Sequence, residues 1–362
     1  MNKIKILHIA PQNFAGMPMD FVNMHRQYGA ESRLVTLYKN TLNFEEDICI
    51  NLPLHTGKIA KGWRDKKVSE KKFYKPKNNL ENIYFKFRDF RNRSRITSVI
   101  DKYKLYDFDI YHFDGGMDLF RDLRFAKEVK RRGKKIVCCY FGSDLRTRGI
   151  FKELDDMSDL NLTVEYDHIK LHNNINYLYF PFDVNQYKFD FKDLPKVKII
   201  HSPTNRLYKG TDRIIRVIEE LKKEKDFDFI LAEGIKREKL LEMKRECNLA
   251  IDQVGGELGG TGYGKNSIEN LAMGLPTITE FAGDYSNFIE ENPFISCNIF
   301  NLKDTINKII ENPKTLAEYA DNGRKWVEKF HSFEAVNNRL NGKISYKRTF
   351  FTNSNLRSRH IT

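Results

Sequence analysis

The stretch VKIIHSPTNRLYKGTDRIIRVIEEL, residues 197–221, places a strand, a polar loop and a helix in direct succession. Its apolar run is strand-like, and its later Ile, Val and Leu residues have the spacing of one helix face. The loop contains Arg206, Lys209 and Gly210. A helix N-terminus offers backbone N–H groups and the positive end of the helix dipole, so this junction suits a bound phosphate. The alternative is an ordinary loop, because basic residues are common near helix starts.

The same alternation extends over most of the 362 residues. Strands are predicted at residues 4–10, 32–37, 110–112, 135–140, 162–165, 177–180, 197–201, 227–232, 249–252 and 276–279. Helices are predicted between them, at residues 19–28, 119–131, 213–223, 237–246 and 265–273. This rhythm predicts an α/β fold with parallel sheets. Because it occurs twice, we expect two Rossmann-like domains facing an interdomain cleft, where such sheets bind ligands.

The predicted boundaries are residues 1–185 for the N-terminal domain, 186–340 for the C-terminal domain and 341–362 for a loose basic tail. The opening MNKIKILHIAPQ is typical of a first strand and not of a signal peptide. No apolar stretch approaches the roughly 20 residues that span a bilayer. The 5 cysteines have no metal-ligand spacing, which indicates a reducing, cytoplasmic compartment.

The net charge of +13 is concentrated in two zones. Residues 58–95 contain fourteen Lys or Arg against four acids, and residues 337–362 contain six bases and no acid. Such zones indicate an anionic partner, which could be a membrane surface, a phosphorylated acceptor or nucleic acid, or else a solvated basic face. The sequence contains no recognised nucleic-acid motif, so no nucleic-acid partner is predicted.

A helix is also predicted near residues 80–95, with Leu80, Ile83, Phe87 and Phe90 at helical spacing. The apolar stripe favours a side that faces the core. The density of bases around it favours an anionic membrane surface, as in a basic amphipathic helix.

A second motif, GGTGYGKNSIENLAMGLPTI, spans residues 259–278. A glycine-rich loop lets a ligand approach the backbone, and Glu269 lies on the helix that follows. A carboxylate in that position can accept hydrogen bonds from two sugar hydroxyls, although a surface Glu on an amphipathic helix is also common.

Together, NRLYKGTDRIIRVIEEL, AIDQVGG and YGKNSIENLAMGLPTI resemble the nucleotide-sugar half of the group 1 family of GT-B glycosyltransferases. In the N-terminal half, KILHIAPQNFAGMPMDFVNMHRQYG, FDIYHFDGG and GKKIVCCYFGSDLR are similar to that family in more general ways. The resemblance implies a nucleoside-diphosphate-sugar donor and an N-terminal domain that binds the acceptor.

The resemblance also implies roles for single residues. Arg206 and Lys209 would neutralise the diphosphate, and Glu269 would hold the ribose hydroxyls. The implied donor-binding set is Gly16, Arg206, Lys209, Gly264, Lys265, Asn266, Ser267 and Glu269. Fixed cations stabilise the charge that develops on a leaving diphosphate and can replace a metal, so neither a metal nor another cofactor is predicted.

Candidates for catalysis are His112, Asp114 and Asp144, which follow predicted N-domain strands. A lone His at a strand end is more often structural. The family often has a second Glu eight positions before the ribose Glu, where this chain has Thr261. That departure leaves the donor sugar open, and Glu257 is an alternative contact.

The sequence therefore predicts a cytoplasmic glycosyltransferase of the hexosyltransferase type, peripheral at the inner face of a membrane. It would transfer a sugar, with retention, to a glycan or lipid-linked glycan in surface polysaccharide synthesis. The alternative is a catalytically inactive binding protein on the same fold, or an epimerase or phosphorylase, because fold does not fix function.

Overall fold

The computed structural model describes residues 3–40, 44–53, 79–256 and 262–342. They form two compact units, the first made of described residues up to Phe182 together with those from Phe333, the second of Asp183–Ser332. The final helix thus belongs to the first unit, whereas the boundary predicted from sequence assigns it to the second. Residues 257–261, with Glu257 and Thr261, the basic run 58–78 and the tail from residue 343 lie outside the described residues.

The first unit contains a seven-stranded sheet in the order β3-β2-β1-β4-β5-β6-β7, with every pairing parallel. Its strands are β1 (Lys5–Ala10), β2 (Glu31–Thr36), β3 (Ile48–Cys49), β4 (Ile110–Asp114), β5 (Lys135–Tyr140), β6 (Leu160–Thr163) and β7 (Asn176–Tyr177). Among the described residues before Asp183, its α-helices are α1 (Met17–Gln27), α2 (Asn79–Lys102), α3 (Arg124–Arg131), α4 (Lys152–Met157) and α5 (His168–Leu171).

The centre of this sheet is buried on both faces, as expected when helices cover a parallel sheet. All five residues of β4 are buried, and so are the last five of β5. On one face, Met19 and Val22 of α1 pack with Ala10 and Leu34 of the strands. Continuous apolar strands and an apolar side of α1 therefore produce the β-α-β start that the sequence predicts.

Helix α3 begins five residues later than predicted, and local hydrogen bonds explain the difference. The Asp118 carboxylate accepts the backbone N–H groups of Leu119, at 2.5 Å, and Ala126, at 3.0 Å. Leu123, just before the helix, has a left-handed φ of 60°. The acidic side chain thus holds a loop where the apolar spacing alone predicts helix.

The second unit contains a five-stranded parallel sheet in the order β12-β11-β10-β8-β9. Its strands are β8 (Lys198–His201), β9 (Asp228–Leu231), β10 (Leu249–Gln253), β11 (Thr277–Thr279) and β12 (Ile295–Ser296). The remaining helices are α6 (Arg206–Lys209), α7 (Thr211–Leu221), α8 (Arg237–Arg245), α9 (Lys265–Ala272), α10 (Tyr285–Phe288), α11 (Leu302–Glu311), α12 (Thr315–Phe330) and, in the first unit, α13 (Phe333–Gly342).

The apolar stripe of α2 does not face the core, so that part of the sequence interpretation is wrong. Leu80, Ile83, Phe87 and Phe90 have exposures of 62% to 75%. The core contacts of α2 come later in the helix, through residues such as Ile96 and Ile100. Within the described residues, no helix is long and apolar enough to cross a lipid bilayer.

Candidate functional site

The loop after β8 runs directly against the backbone that follows β10. Asn205 caps the single turn α6 by accepting two of its backbone N–H groups. Gly210 ends that turn with a left-handed φ of 66°, and a Cβ there would lie 1.9 Å from the carbonyl oxygen of Val254. A Cβ on Gly256 would lie 2.3 Å from the carbonyl oxygen of Tyr208. Two glycines therefore permit a contact between backbones that fixes the position of Lys209.

Lys209 is held by a buried carboxylate at the end of β10. Its Nζ lies 2.7 Å from Oδ1 of Asp252, which also accepts Nδ2 of Asn266 at 2.9 Å. The other oxygen accepts the Ser267 hydroxyl at 2.5 Å. Burial raises the pKa of Asp252, but the Lys209 charge and these hydrogen bonds outweigh burial, so the pKa is below its usual value. Asp252 thus joins the loop after β8 to the first turn of α9.

A second buried cation extends this network. Lys244 of α8 donates to Oδ1 of Asn266 at 2.7 Å, and its Nζ lies 3.6 Å from Oε2 of Glu269. Burial lowers the pKa of Lys244, against the opposing effect of Glu269. Arg237 Nη1 lies 2.6 Å from Oε1 of Glu269, which accepts the Tyr187 hydroxyl at 3.3 Å. We call Lys209, Lys244, Asp252, Asn266, Ser267 and Glu269 the buried ionic cluster.

Arg206 lies apart from this cluster. Its guanidinium pairs with Asp212, with Nε 3.0 Å from Oδ1, and with Glu233, with Nη1 2.6 Å from Oε2. The hydrogen bonds to Asp212 and then to Glu233 raise the pKa of Arg206. Its side chain is 40% exposed, so it remains accessible from solvent while paired.

Helix α9 is preceded by a glycine. Gly264 at its N-cap has extended backbone, and a Cβ there would meet nothing within 4 Å among the described residues. Lys265, Asn266 and Ser267 form its first turn. The backbone N–H groups and positive dipole end of such a turn favour an anion.

A small cavity of about 180 Å³ lies beside the crossing of the two backbones. Its lining residues are Tyr208, Gln253, Val254, Gly255, Gly256, Glu280 and Ala282. Gln253 Oε1 lies 3.4 Å from Nζ of Lys209. The cavity therefore adjoins the cation that the sequence identifies as a phosphate contact.

The second unit brings four of the eight predicted donor residues into one network and adds residues that the sequence analysis did not assign. Lys209, Asn266, Ser267 and Glu269 are joined through Asp252 and Lys244. The residues not predicted are Tyr187, Arg237, Lys244 and Asp252. The motif AIDQVGG contains Asp252, and an acidic residue at the end of a buried strand is a sequence signal for a functional site. No such signal marks Lys244, because its helix has the pattern of an ordinary charged surface.

In the first unit, the predicted catalytic side chains His112 and Asp114 are fully buried. Asp114 Oδ2 lies 2.9 Å from Nδ1 of His8, and the His8 and His112 rings are stacked at 4.3 Å between centroids. Burial lowers the pKa of His8 to about 3 and that of His112 well below its usual range. Burial, and then the neighbouring Asp144, raises the pKa of Asp114 well above its usual range.

The Asp144 side chain forms hydrogen bonds with the local backbone. Its carboxylate accepts the N–H groups of Phe141, Gly142 and Leu145 at 2.7–2.9 Å. Gly16 precedes α1 with a left-handed φ of 76°, which suits glycine. The catalytic roles of His112, Asp114 and Asp144 and the donor-binding role of Gly16 stay predictions.

Sequence comparisons give no match, either to a family model or to a curated protein. Solved structures do match over nearly the whole chain. Alr3699/HepE of Anabaena, solved in complex with UDP, is 13% identical, with a TM-score of 0.55, covering 95% of this chain and 100% of that one. Sucrose-phosphate synthase of Thermosynechococcus elongatus is 14% identical, with a TM-score of 0.57, and TarM is 12% identical, also with 0.57; each match covers 96% of this chain and 99% of the other.

The chain has the GT-B fold. Each unit carries its own parallel Rossmann-like sheet, with 7 strands in the first and 5 in the second. At 12–14% identity the likeness extends to the fold and not to the activity. Function on this GT-B fold must therefore be argued from the chain's own side chains.

Proposed function

We propose that this protein is a glycosyltransferase that moves a sugar from a nucleoside-diphosphate sugar to an acceptor. The observation that carries the proposal is the buried ionic cluster, because it brings a cation, the first turn of a helix and a carboxylate into one network at the ends of β8 and β10. Ligands of parallel α/β sheets bind at the carboxyl ends of the strands. The cation suits the phosphates of a nucleoside diphosphate, and the carboxylate suits the hydroxyls of its ribose.

We assign each group a role by its chemistry. Lys209 and the first turn of α9 would contact the diphosphate, and Arg206 would add a second cation by exchanging a carboxylate partner for a phosphate. Glu269 would accept hydrogen bonds from the ribose hydroxyls, because Arg237 and Lys244 hold its carboxylate in place. These fixed charges would stabilise the leaving diphosphate electrostatically.

The finer parts of the proposal rest on the resemblance of the sequence motifs. We propose transfer of a hexose with retention, to a glycan or lipid-linked glycan, in synthesis of a surface polysaccharide. No cofactor besides the donor is part of the proposal. The stereochemistry is tested directly by NMR, which compares the anomeric configuration of the new glycosidic bond with that of the sugar donor.

A groove in the first unit supports an anionic acceptor with an apolar part. It has a volume of about 570 Å³ and lies between α2 and the loop before α3. It combines four cations, two acids and three Phe rings, namely Lys86, Arg93, Arg121, Arg124, Asp89, Asp122, Phe85, Phe90 and Phe151. A lipid-linked phosphate fits this combination, because its phosphate carries negative charge and its chain is apolar.

The exposed stripe of α2 supports peripheral attachment to the inner face of a membrane. Phe87 and Phe90 are 62% and 75% exposed, with Lys86, Arg91 and Arg93 exposed nearby. A helix with this combination binds anionic bilayers by inserting its apolar side and attracting the headgroups with its bases. We therefore propose an anionic lipid surface as the partner of α2.

The donor site is tested by thermal stabilisation with UDP, GDP, ADP and CDP, followed by release of nucleoside diphosphate from the matching sugar donors. UDP is the first choice, because the similar Anabaena protein was solved with it. We expect one nucleotide to raise the melting temperature, and Glu269→Gln to reduce the shift. Lys303→Ala is the control, because its pairing with Glu224 lies on the exposed surface. Equal shifts in both variants would contradict the assigned site.

The membrane proposal is tested by sedimentation with vesicles of phosphatidylglycerol and of phosphatidylcholine. We expect binding to the anionic vesicles only, a large loss in the Phe87→Ser, Phe90→Ser double variant, and no loss in Lys102→Glu at the far end of α2. Binding to neither vesicle would remove the membrane from the proposal and leave the donor site untouched.

One observation favours the alternative of an inactive binding protein. Both candidate diphosphate contacts are already paired, Lys209 with Asp252 and Arg206 with Asp212 and Glu233. Pairing reduces the positive charge available to a leaving group. Nucleotide-dependent stabilisation without release of nucleoside diphosphate from any sugar donor or acceptor mixture would favour this alternative.

A further inference from the structure

Three histidines from distant parts of the chain meet inside the first unit. His8 on β1 and His112 on β4 are direct partners in the parallel register. His25 comes from α1, which connects β1 to β2. The ring centroid of His25 lies 5.4 Å from that of His8 and 5.6 Å from that of His112. All three side chains are almost completely shielded from solvent.

Their nitrogen atoms converge. One ring nitrogen from each of the three histidines lies within 4.8 Å of the other two. Nε2 of His8 and Nε2 of His25 are buried and have no hydrogen-bond partner among the described residues. A buried polar atom without a partner is uncommon in folded proteins, because it loses its hydration without replacement. Two such atoms in one cluster call for a ligand that binds lone pairs.

A carboxylate lies behind the cluster. Asp114 Oδ2 is 2.9 Å from Nδ1 of His8, on the ring side opposite Nε2. When Asp114 is ionised, this bond holds the proton on Nδ1 of His8, so that Nε2 presents a lone pair to a metal ion. Metal-binding histidines are commonly oriented in this way by a carboxylate at their second nitrogen.

We propose that His8, His25 and His112 bind a divalent transition-metal ion of the zinc class, with Asp114 as the positioning residue. Neutral imidazoles are preferred ligands of Zn²⁺, and three of them leave the fourth position of a tetrahedral ion open to a small ligand. Zn–N bonds of about 2.0–2.1 Å bring ligand nitrogens to roughly 3.4 Å from one another. Binding therefore requires the stacked rings of His8 and His112 to rotate out of their parallel arrangement, so that the three lone pairs point at one ion.

The consequence is a cross-link of β1, β4 and α1. β4 is far from β1 and α1 in sequence, and the ion would join all three elements inside the first unit. The inference does not depend on sugar transfer, because the ligands lie in the interior of the first unit and the buried ionic cluster lies in the second. Failure of either proposal leaves the other intact.

The test uses the full-length protein after removal of metal by a chelator. We expect it to take up one equivalent of Zn²⁺ with an upward shift of the melting temperature by roughly 5–10 °C at saturation. Co²⁺ should bind to the same site and give the intense visible absorption of a four-coordinate ion. Absence of uptake, or an octahedral Co²⁺ spectrum, overturns the proposal, and this result needs no variant.

Variants locate the ion. His25→Gln removes one ligand while keeping a neutral polar side chain, and we expect it to lose the stabilisation by Zn²⁺. The control is His168→Gln in the same unit, because the nitrogens of His168 bind Thr163 and the carbonyl of Gly142. That variant should take up Zn²⁺ as the wild type does. Uptake by His25→Gln with unchanged affinity would overturn the assignment.

Asp114→Asn tests the positioning role. It keeps the shape of the side chain, so it serves as the second variant if His25→Gln does not fold. We expect Zn²⁺ affinity to fall about 10–100-fold and the Co²⁺ bands to shift, because the orientation of His8 is lost. A merely structural role for Asp114 would change the melting temperature and leave the Co²⁺ spectrum unchanged, and that result would contradict the positioning role.

Discussion

The two units of the protein bury polar groups in opposite ways. In the second unit, Lys244 and Asp252 are fully buried and each lies near an opposite charge, Lys209 at 2.7 Å from Asp252 and Glu269 at 3.6 Å from Lys244. In the first unit, three histidines lie together and one of them, His8, contacts Asp114; burial lowers the pKa values of the three histidines, which favours neutral rings. One cluster is ionic and the other is not.

The comparison shows what determines the state of a buried titratable group. Taking an ion out of water is very unfavourable unless a counter-charge and hydrogen bonds replace the water. The second unit supplies these to Asp252 from three side chains, so the pKa of Asp252 falls despite burial. In the first unit, Asp114 has a hydrogen bond to His8, but its charged neighbour is another acid, Asp144, and its pKa rises. Equal burial therefore gives opposite shifts.

The largest effect is expected for Asp252→Ala. This change leaves Lys209 without its main partner and removes the acceptor of Asn266 and Ser267. Breaking a buried ion pair from one side typically costs about 3–5 kcal/mol in the free energy of unfolding, and urea denaturation measures it. Asp226→Ala is the control, because Asp226 is 87% exposed in its pair with Lys196 and should leave the midpoint unchanged. A similar midpoint for both variants would refute the ionic interpretation.

A somewhat smaller effect is expected for Gly210→Ala, which moves Lys209 without changing a charge. The new Cβ would meet the Val254 carbonyl oxygen at 1.9 Å, with φ at +66°. We expect a loss of about 2–4 kcal/mol from strain and overpacking, together with loss of nucleotide stabilisation. Gly234→Ala is the matched control, since its φ is +64° and a Cβ there meets nothing within 4 Å. The Gly234→Ala variant measures the cost of the left-handed backbone alone, about 1 kcal/mol. Equal losses of stability in the two variants would contradict the close backbone contact at Gly210.

The first unit should show a pH dependence of the opposite sign from an ion pair. Burial raises the pKa of Asp118 to about 7, above its usual value of 3.8. The folded state therefore keeps this proton longer than the unfolded state, so its contribution is present below pH 3.8 and is lost as the pH rises toward 7. We expect a decrease on the order of 4 kcal/mol across that window. Denaturation of the wild type and of Asp118→Asn at several pH values measures it, and an equal slope in both would exclude Asp118 as the cause.

The smallest effect on stability is expected on the exposed face of α2. Phe87→Ser should change the free energy of unfolding by at most about 0.5 kcal/mol, because the side chain is 62% exposed. Ile96→Ser, on the buried side of the same helix, is the comparison and should destabilise strongly. A large loss for Phe87→Ser would mean that the stripe packs against protein after all.

Much of the fold could be predicted because its signals are local. Continuous apolar runs mark buried parallel strands, and the junction at residues 201–212 predicts a strand, a loop and a helix start that the structure has. Two features had no adequate local signal. The strands Ile48–Cys49 and Ile295–Ser296 are only two residues long, and the stripe of α2 has the same spacing whether it faces a core or solvent.

The candidate site was predictable only in part, for a similar reason. Lys209 and Glu269 stand in recognisable motifs, but Asp252 is 43 residues from Lys209 and acquires its role through sheet pairing. Lys244 has the sequence context of a surface lysine and becomes buried because α8 packs it beneath Asn266 and Glu269. Contacts between distant segments depend on the topology of the fold, so they cannot be predicted from the composition of either segment.

The crossing at Gly210 and Gly256 also bears on how the chain can diverge. Most apolar or charged side chains can be substituted gradually, because a neighbouring side chain can change in size to fit. A side chain at Gly210 would collide with the main chain, and no substitution makes the main chain smaller. Substitution of Gly210 is therefore strongly disfavoured, however much the rest of the sequence diverges. For a chain that no family model matches, a pair of glycines about 46 residues apart, after two neighbouring strands, offers a marker by which remote relatives with the same crossing can be sought.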